Sequence, residues 1–494
     1  MPGGTTSSTS GGEKRTIVRE LVDPPAVLDL PARELELEDG ESQGSVPLVG
    51  GGLNQQRFAL ALSSITAGAL FLRVWYVLAY TRYQNKTLYD SFWYYGTILG
   101  LHLGEFFRTP FSLSPTAAHP PMTTFLLAAG TFIIGLHGGT TSPLLVMALL
   151  GSAVVACVGL LGRTLAGPWV GLTAAILAAL APNFWMPSGI MMSETPAMLF
   201  MVLILLAVVH LLRAPTVLSA ILLGVACGAE ALTRAELILF VPVLLIPATL
   251  LVHTSLRRRL LLFGVALAAT TLVLAPWVGR NLATFTDPTY LSSGNGLVLL
   301  GANCPQTYSG PEIGLWSVQC AESTRRAGDE SVQSSRDQHA AVQFIEHHVD
   351  RLPIVVLVRI ARVWDLYDPV QMAHVEAGEG RPVIASLAGL GFYYFLLPFA
   401  VAGIVILRRR CIAQWFLLVP AAVVTLTSAL CFALVRFRAP FEVCLVVLAA
   451  PAIVLLVQRL ETWAVSHQAA REVAPVICCG YPIGSSGLDF EPDS

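Results

Sequence analysis

Residues Phe58–Tyr80 read FALALSSITAGALFLRVWYVLAY, and after six intervening residues Thr87–Gly100 read TLYDSFWYYGTILG. The first stretch carries a single charge, Arg73, and has the roughly 20 apolar residues that a bilayer crossing needs. It reads as a transmembrane helix. The second stretch sets one acid, Asp90, among five aromatic residues. Leu88, Phe92, Tyr95 and Leu99 fall on one helical stripe, with Asp90, Tyr94 and Thr97 on another face. The pattern predicts a helix lying flat on the membrane surface with Asp90 in its first turn. An acid in a first turn caps the helix and complements its dipole; a lone carboxylate beside a membrane is also a candidate catalyst. Pattern alone leaves both readings open.

The whole chain follows that first stretch. Of 494 residues, 54% are hydrophobic and 13% charged, against about 25% charged in soluble proteins, and the mean hydropathy is +0.66. The fold class is an all-α polytopic membrane protein. A formal net charge of −2 gives no sign of nucleic acid as a partner. Lys14 and Lys86 are the only lysines among the basic residues, an arginine bias that fits a GC-rich bacterial genome. The nine cysteines form no CxxC or Cys/His cluster, so no metal framework is visible and no cofactor is called for, although a divalent metal is left open. Residues 1–56 form a tail, Gly/Ser/Thr-rich and then acidic (ARELELEDGE), and are expected to be disordered. No signal peptide is seen, so the first membrane helix is expected to act as the targeting signal.

Full spans are expected at about 58–80, 143–162, 168–183, 196–213, 217–232, 236–252, 260–277, 384–407, 412–433 and 440–458. Segments 121–136 and 353–366 are apolar but short or interrupted, and read as re-entrant or interfacial. The total is ten to twelve transmembrane helices. Under the ten-span reading, in which neither 121–136 nor 353–366 crosses, Arg57, Arg163, Arg213, Arg257–Arg259, Arg408–Arg410 and Arg459 fall at span ends on one side. The positive-inside rule therefore puts both termini in the cytoplasm, with outer loops at 81–142 and 278–383. A transmembrane domain over 57–460 and a cytoplasmic tail over 461–494 complete the layout.

Polar chemistry gathers at the outer ends. Arg234 in LTRAEL, and Arg436 with Arg438 in RFRAP, defy the positive-inside pattern; they are there for a partner or snorkel to headgroups. His119 precedes a double proline and must stay extended. It is a loop residue or a contact for phosphate or sugar. In SETP, Ser193 or Thr195 is expected to cap a helix, while Glu194 is less readily explained as structure. Arg280 and Asn281 end a span in PWVGRN, placed to grip an anionic headgroup or to anchor the interface with Trp277. Cys304 and Cys320 share the second outer loop and are candidates for a disulfide.

This order of motifs resembles the GT-C superfamily of integral-membrane glycosyltransferases, especially the branch with protein O-mannosyltransferases and the lipid A aminoarabinose transferase. The matching features are Asp90, the HPP of His119–Pro121, the SETP of Ser193–Pro196, the LTR ending at Arg234, PWVGRN at Pro276–Asn281, and RFRAP. They run in family order over about residues 58–458. The family often has paired acids after the first helix, whereas Ser91 follows Asp90 here, and Glu194 stands where Asp is commoner. The resemblance implies a GT-C bundle whose outer loops supply interfacial helices over the site. It also implies a polyprenyl-phosphate-linked sugar donor and a glycan, lipid or protein acceptor outside the plasma (inner) membrane. Asp90 would then be the general base of an inverting transfer and Glu194 would assist it. His119, Arg234, Arg280, Asn281, Arg436 and Arg438 would bind substrate. A transporter or flippase of lipid-linked substrates, or a polysaccharide polymerase or ligase, is the alternative. Transport wants polar residues through the membrane midplane, and a polymerase would lack the early acid and the HPP element.

Overall fold

The computed structural model describes residues 53–81, 90–110, 112–324 and 328–473, and every named element among them is helical. The expected disordered tail over 1–56 lies almost wholly outside those residues, as do Thr87, Leu88 and Tyr89 of the quoted stretch. In chain order the helices of eight residues or more are α1 (Gln55–Ala79), α2 (Asp90–His102), α3 (Met122–Ile134), α4 (Thr141–Ala166), α5 (Pro168–Leu180), α6 (Glu194–Arg213), α7 (Val217–Ala231), α8 (Leu256–Thr284), α9 (Asn295–Ala302), α10 (Glu330–His347), α11 (Leu352–Val363), α12 (Pro369–Gly378), α13 (Val383–Arg409), α14 (Trp415–Leu430) and α15 (Ala439–Val473). By length and composition α1, α4, α6, α8, α13 and α15 each span a membrane, and α7 and α14 are shorter apolar helices beside them.

Two expected spans are broken, and proline breaks both. The segment at 168–183 is not one straight helix: α5 ends at Leu180, and Ala181 turns extended (φ −60°, ψ 123°) because Pro182 follows it. The chain then leaves through Pro182–Gly189 at 73° to α5. Arg73, the one charge in the opening stretch, donates to the Phe184 carbonyl in that turn at 3.3 Å and so satisfies backbone that the break exposes inside the bundle. The segment at 236–252 becomes a 3₁₀ turn, a π turn and an α turn, since Pro242 and Pro247 each remove a backbone donor. At the far end, the expected boundary at 460 is overrun: α15 continues to Val473 through residues without Gly or Pro, and Pro475 follows.

The two marginal segments form helices too short to cross as single straight spans. α3 has 13 residues and α11 has 12, about 20 Å at 1.5 Å per residue, against roughly 30 Å of hydrocarbon. α2 buries Tyr94 and Ile98 in an apolar cluster with Val77, Leu127 and Leu144, with Ser91 and Thr97 on the same buried side, while Leu99 is exposed.

Small residues set the close packing of the spans. A Cβ at Gly224 of α7 would strike the Ala266 carbonyl of α8, and one at Gly403 of α13 would strike the Leu448 carbonyl of α15. Thr270 seals the first contact by donating to the Gly224 carbonyl at 2.9 Å. At one end of the bundle the arginine-bearing helix ends meet: Arg163 lies over the Phe58 ring at 4.4 Å, Arg213 donates to the Thr164 carbonyl, and Arg258 donates to Pro215. The other end carries α2, α3 and α9–α12. There Cys304 and Cys320 are joined by a disulfide. Arg362 of α11 donates to the Ile313 and Pro311 carbonyls at 2.7 and 2.8 Å, which ties that helix to the loop around the disulfide.

Candidate active site

Asp90 opens α2, and its two carboxylate oxygens meet side chains from elsewhere. Arg436 donates to Oδ2 at 3.0 Å, and Nε2 of His119 stands 3.6 Å from Oδ1. The Asp90 side chain is 33% exposed, so it is both paired and reachable. Burial raises its pKa, but Arg436, His119 and Arg234 together outweigh that and hold it below the usual carboxylate range. Tyr94, one helical turn on, stacks on His119 with ring centroids 5.0 Å apart. The HPP segment is fixed from behind: Met122 N–H, just past Pro121, donates to the Leu232 carbonyl at 2.9 Å. HPP and LTR, more than a hundred positions apart, are thus docked on each other.

Glu194 opens α6 and is 1% exposed. Its Oε1 lies 3.2 Å from Arg381 and 3.9 Å from Arg436. Both of its oxygens lack a hydrogen bond of good geometry, an arrangement that native proteins resolve with a ligand or water. The expected cap is absent here. Ser193 is already helical (φ −80°, ψ −8°) and makes no side-chain cap bond; its hydroxyl instead pairs with Tyr94. That pairing links the α2 and α6 starts, and Arg436 bridges their two acids.

The remaining candidates divide. Arg234 lies beside the cluster: it pairs with Glu236 at 2.7 Å and sits over the Phe437 ring at 4.6 Å, with Arg436 on the same ring at 5.6 Å. Arg280 and Asn281 do not join Asp90. Arg280 donates to the Thr116 and Phe107 carbonyls at 2.9 and 3.2 Å and to Asn281 at 2.8 Å, while Asn281 donates to the Tyr290 carbonyl at 2.9 Å. Arg438 turns away altogether, fully buried between Asp365 and Glu442 at 2.7 Å each and stacked on Tyr393 at 3.7 Å.

Three residues of the cluster escaped the sequence reading. Arg381 pairs with Glu194 and, at 3.5 Å, with Glu376; Glu379 lies 3.3 Å from Arg436. Burial raises both glutamates, Glu379 to about 7, against the pull of Arg381 and, at Glu379, also of Arg436. A signal existed. Arg381 stands just before α13, at the end of the bundle away from the other arginine-bearing helix ends, the same anomaly that marks Arg234. Among the described residues, no group of three His, Cys, Asp or Glu is placed to hold a metal ion.

Comparison with known proteins adds two findings. Residues 118–278 match the model of the dolichyl-phosphate-mannose-protein mannosyltransferase family, a range that takes in His119, Glu194 and Arg234. Among solved structures, the apo oligosaccharyltransferase of Archaeoglobus fulgidus is similar at TM-score 0.51 and 16% identity, over 84% of this chain and 52% of that one. The same enzyme tethered to an acceptor peptide is similar at 0.50 and 16%, over 83% and 51%. ArnT from Cupriavidus metallidurans bound to undecaprenyl phosphate covers 81% and 78% at 17% identity, but its TM-score of 0.36 carries no structural argument. This chain spans about half the length of the archaeal enzyme, and at such identity the likeness is one of fold. No curated protein matches the sequence significantly. In fold, and over residues 118–278 in sequence, the chain is similar to the GT-C membrane glycosyltransferases.

Proposed function

We propose that the protein is an inverting glycosyltransferase, moving a sugar from a polyprenyl-phosphate donor to an acceptor hydroxyl at the outer face of the plasma membrane. The observation that carries this reading is the meeting of Asp90, His119, Glu194 and Arg436, drawn from segments up to 346 positions apart. They meet at the end of the bundle opposite the arginine-bearing helix ends, which the positive-inside rule assigns to the cytoplasm.

The donor's leaving group is a lipid phosphate, so catalysis needs positive charge on that phosphate and a base on the acceptor. Arg436 and Arg234, sharing the Phe437 ring, form a cationic lip for it. As the phosphate draws Arg436 toward itself, Asp90 loses its closest counter-charge and its proton affinity rises. The base thus strengthens only when the donor is in place. Asp90 then takes the acceptor's hydroxyl proton as that oxygen attacks the anomeric carbon, and the bond to phosphate breaks with its electrons on the lipid phosphate. His119 and Tyr94 hold Asp90 in line. Glu194, anchored by Arg381, meets the sugar hydroxyls. Arg280 and Asn281 act as a brace for the loop before His119, and Arg438 belongs to the wall.

The test is transfer by purified protein in lipid from a panel of radiolabelled polyprenyl-phosphate sugars. One donor should be turned over, and Asp90→Asn should lower that rate by about 10²–10⁴-fold, the usual worth of a general base. Near-normal turnover in Asp90→Asn removes Asp90 from the mechanism, and vesicle uptake without transfer makes the protein a transporter.

A further inference from the structure

The carboxylates around Arg436 outnumber the cations. Asp90 from α2, Glu194 from α6, Glu376 from α12 and Glu379 from the α12–α13 turn face two guanidiniums, Arg381 and Arg436. Beyond them, Arg234 is matched by Glu236, Arg438 by Asp365 and Glu442, and His119 faces Asp90. With every acid ionised, two carboxylates are unmatched in a largely dry site, and an incoming phosphate adds another negative charge. Like charges at this range in a low dielectric repel strongly. One acid must give up its charge for the donor to settle.

The geometry singles out Glu379. Glu376 is held on both oxygens, by the Arg436 backbone N–H at 3.1 Å and by Arg381 at 3.5 Å. Asp90 is held by Arg436 and His119. Glu194, whose oxygens also lack hydrogen bonds, is enclosed behind two guanidiniums, Arg381 and Arg436. Glu379 is half-buried and pairs with one guanidinium, Arg436 at 3.3 Å, while its Oε2 is buried without a hydrogen-bond partner among the described residues. We propose that Glu379 binds the lipid-phosphate donor as a neutral carboxylic acid, so that capture of the donor carries one proton with it at this residue. The neutral acid removes one repelling charge and offers an O–H to a phosphate oxygen, while Arg436 is freed toward the same phosphate. That its pKa stands at about 7, raised by burial against Arg436 and Arg381, puts the proton within reach of ordinary pH. The inference rests on the donor reading above and adds to it a specificity residue and a pH dependence.

The sign is fixed. Below about pH 7 Glu379 is already protonated and the donor binds freely; above it, binding must pull a proton from solvent and weakens. The probe is a short-chain polyprenyl methyl phosphodiester, titrated calorimetrically into the full-length protein. A diester has no second ionisation, so its own charge stays constant. Wild-type affinity should fall about tenfold or more between about pH 6 and about pH 8.5. E379Q, neutral throughout, should bind at all these pH values as the wild type does at the lowest. A wild type with no pH dependence, or an E379Q that weakens in step with it, overturns the proposal. If E379Q does not fold, the buffer dependence of the wild-type binding heat decides. Uptake of about one proton near pH 8.5, retained in both His119→Gln and Asp90→Asn, supports Glu379; no uptake, or uptake lost in either variant, overturns it. Failure of the diester to bind at any pH brings down the donor reading itself, and this inference with it.

Discussion

Arg436 and Arg438 stand two positions apart in one 3₁₀ turn and live in different worlds. Arg438 is closed: one donor on Asp365 and one on Glu442, both at 2.7 Å, with Tyr393 across its face at 3.7 Å and Asn183 completing Glu442 at 3.0 Å. Arg436 is open: it reaches toward Asp90, Glu379 and Glu194 at 3.0, 3.3 and 3.9 Å, and its Nε has no partner. A charge clamped at short range between two buried carboxylates is part of the wall. One shared among too many partners at lengthening distances is poised for an exchange. The two arginines look alike in RFRAP, and only their partners tell them apart.

That contrast can be broken most forcefully at Arg438. Arg438→Leu strands Asp365 and Glu442 in the interior, and removing one side of a buried pair costs about 3–5 kcal/mol. Thermal unfolding in detergent should show that loss, with turnover per folded molecule little changed. Arg436→Lys should do the reverse. A lysine keeps the charge but not the fork that spans two acids or a phosphate, so stability should hold within about 1 kcal/mol while transfer falls about 10²–10³-fold. A stable Arg438→Leu that has lost turnover would exchange the roles assigned here.

Much of the fold was written in hydropathy, because a bilayer punishes unsatisfied backbone so heavily that spans advertise themselves. The breaks at Ala181 and around Pro242 were legible only through their prolines, which the apolar count passes over. At the site, residues at odds with their surroundings stood out: Asp90 alone among aromatics, Arg234 and Arg436 on the wrong side. Arg381, just before a span, carried the same mark and was passed over. Glu376 and Glu379 carried none: they sit in a long segment already rich in charge, where one more glutamate breaks no pattern, and only folding carries them to Arg381 and Arg436. Ser193 was misjudged for a related reason. Its spacing suits a cap, but the hydroxyl had a tertiary partner in Tyr94, which no local rule foresees.

Arg280 supplies an intermediate case between the two arginines of the turn. Among the described residues it carries no direct carboxylate partner, yet its donors are spent on the Thr116 and Phe107 carbonyls and its face lies near Trp277 and Phe285, at 5.1 and 5.4 Å. Glu330 grips the next residue, accepting from Ala117 N–H at 2.9 Å and from the Ser293 hydroxyl at 2.7 Å. Together they fix the chain three and two positions ahead of His119, so their influence on Asp90 passes through that histidine. Arg280→Lys should retain one of the two carbonyl bonds and slow transfer about tenfold, the worth of one charged hydrogen bond. Its effect should shrink in a His119→Ala background, since two changes acting through one contact do not add. Glu330→Gln, which still accepts both bonds, should be nearly silent where Glu330→Ala is not. A full tenfold loss from Arg280→Lys with His119 already removed would show that Arg280 touches the donor itself, and would move it from the brace into the company of Arg436.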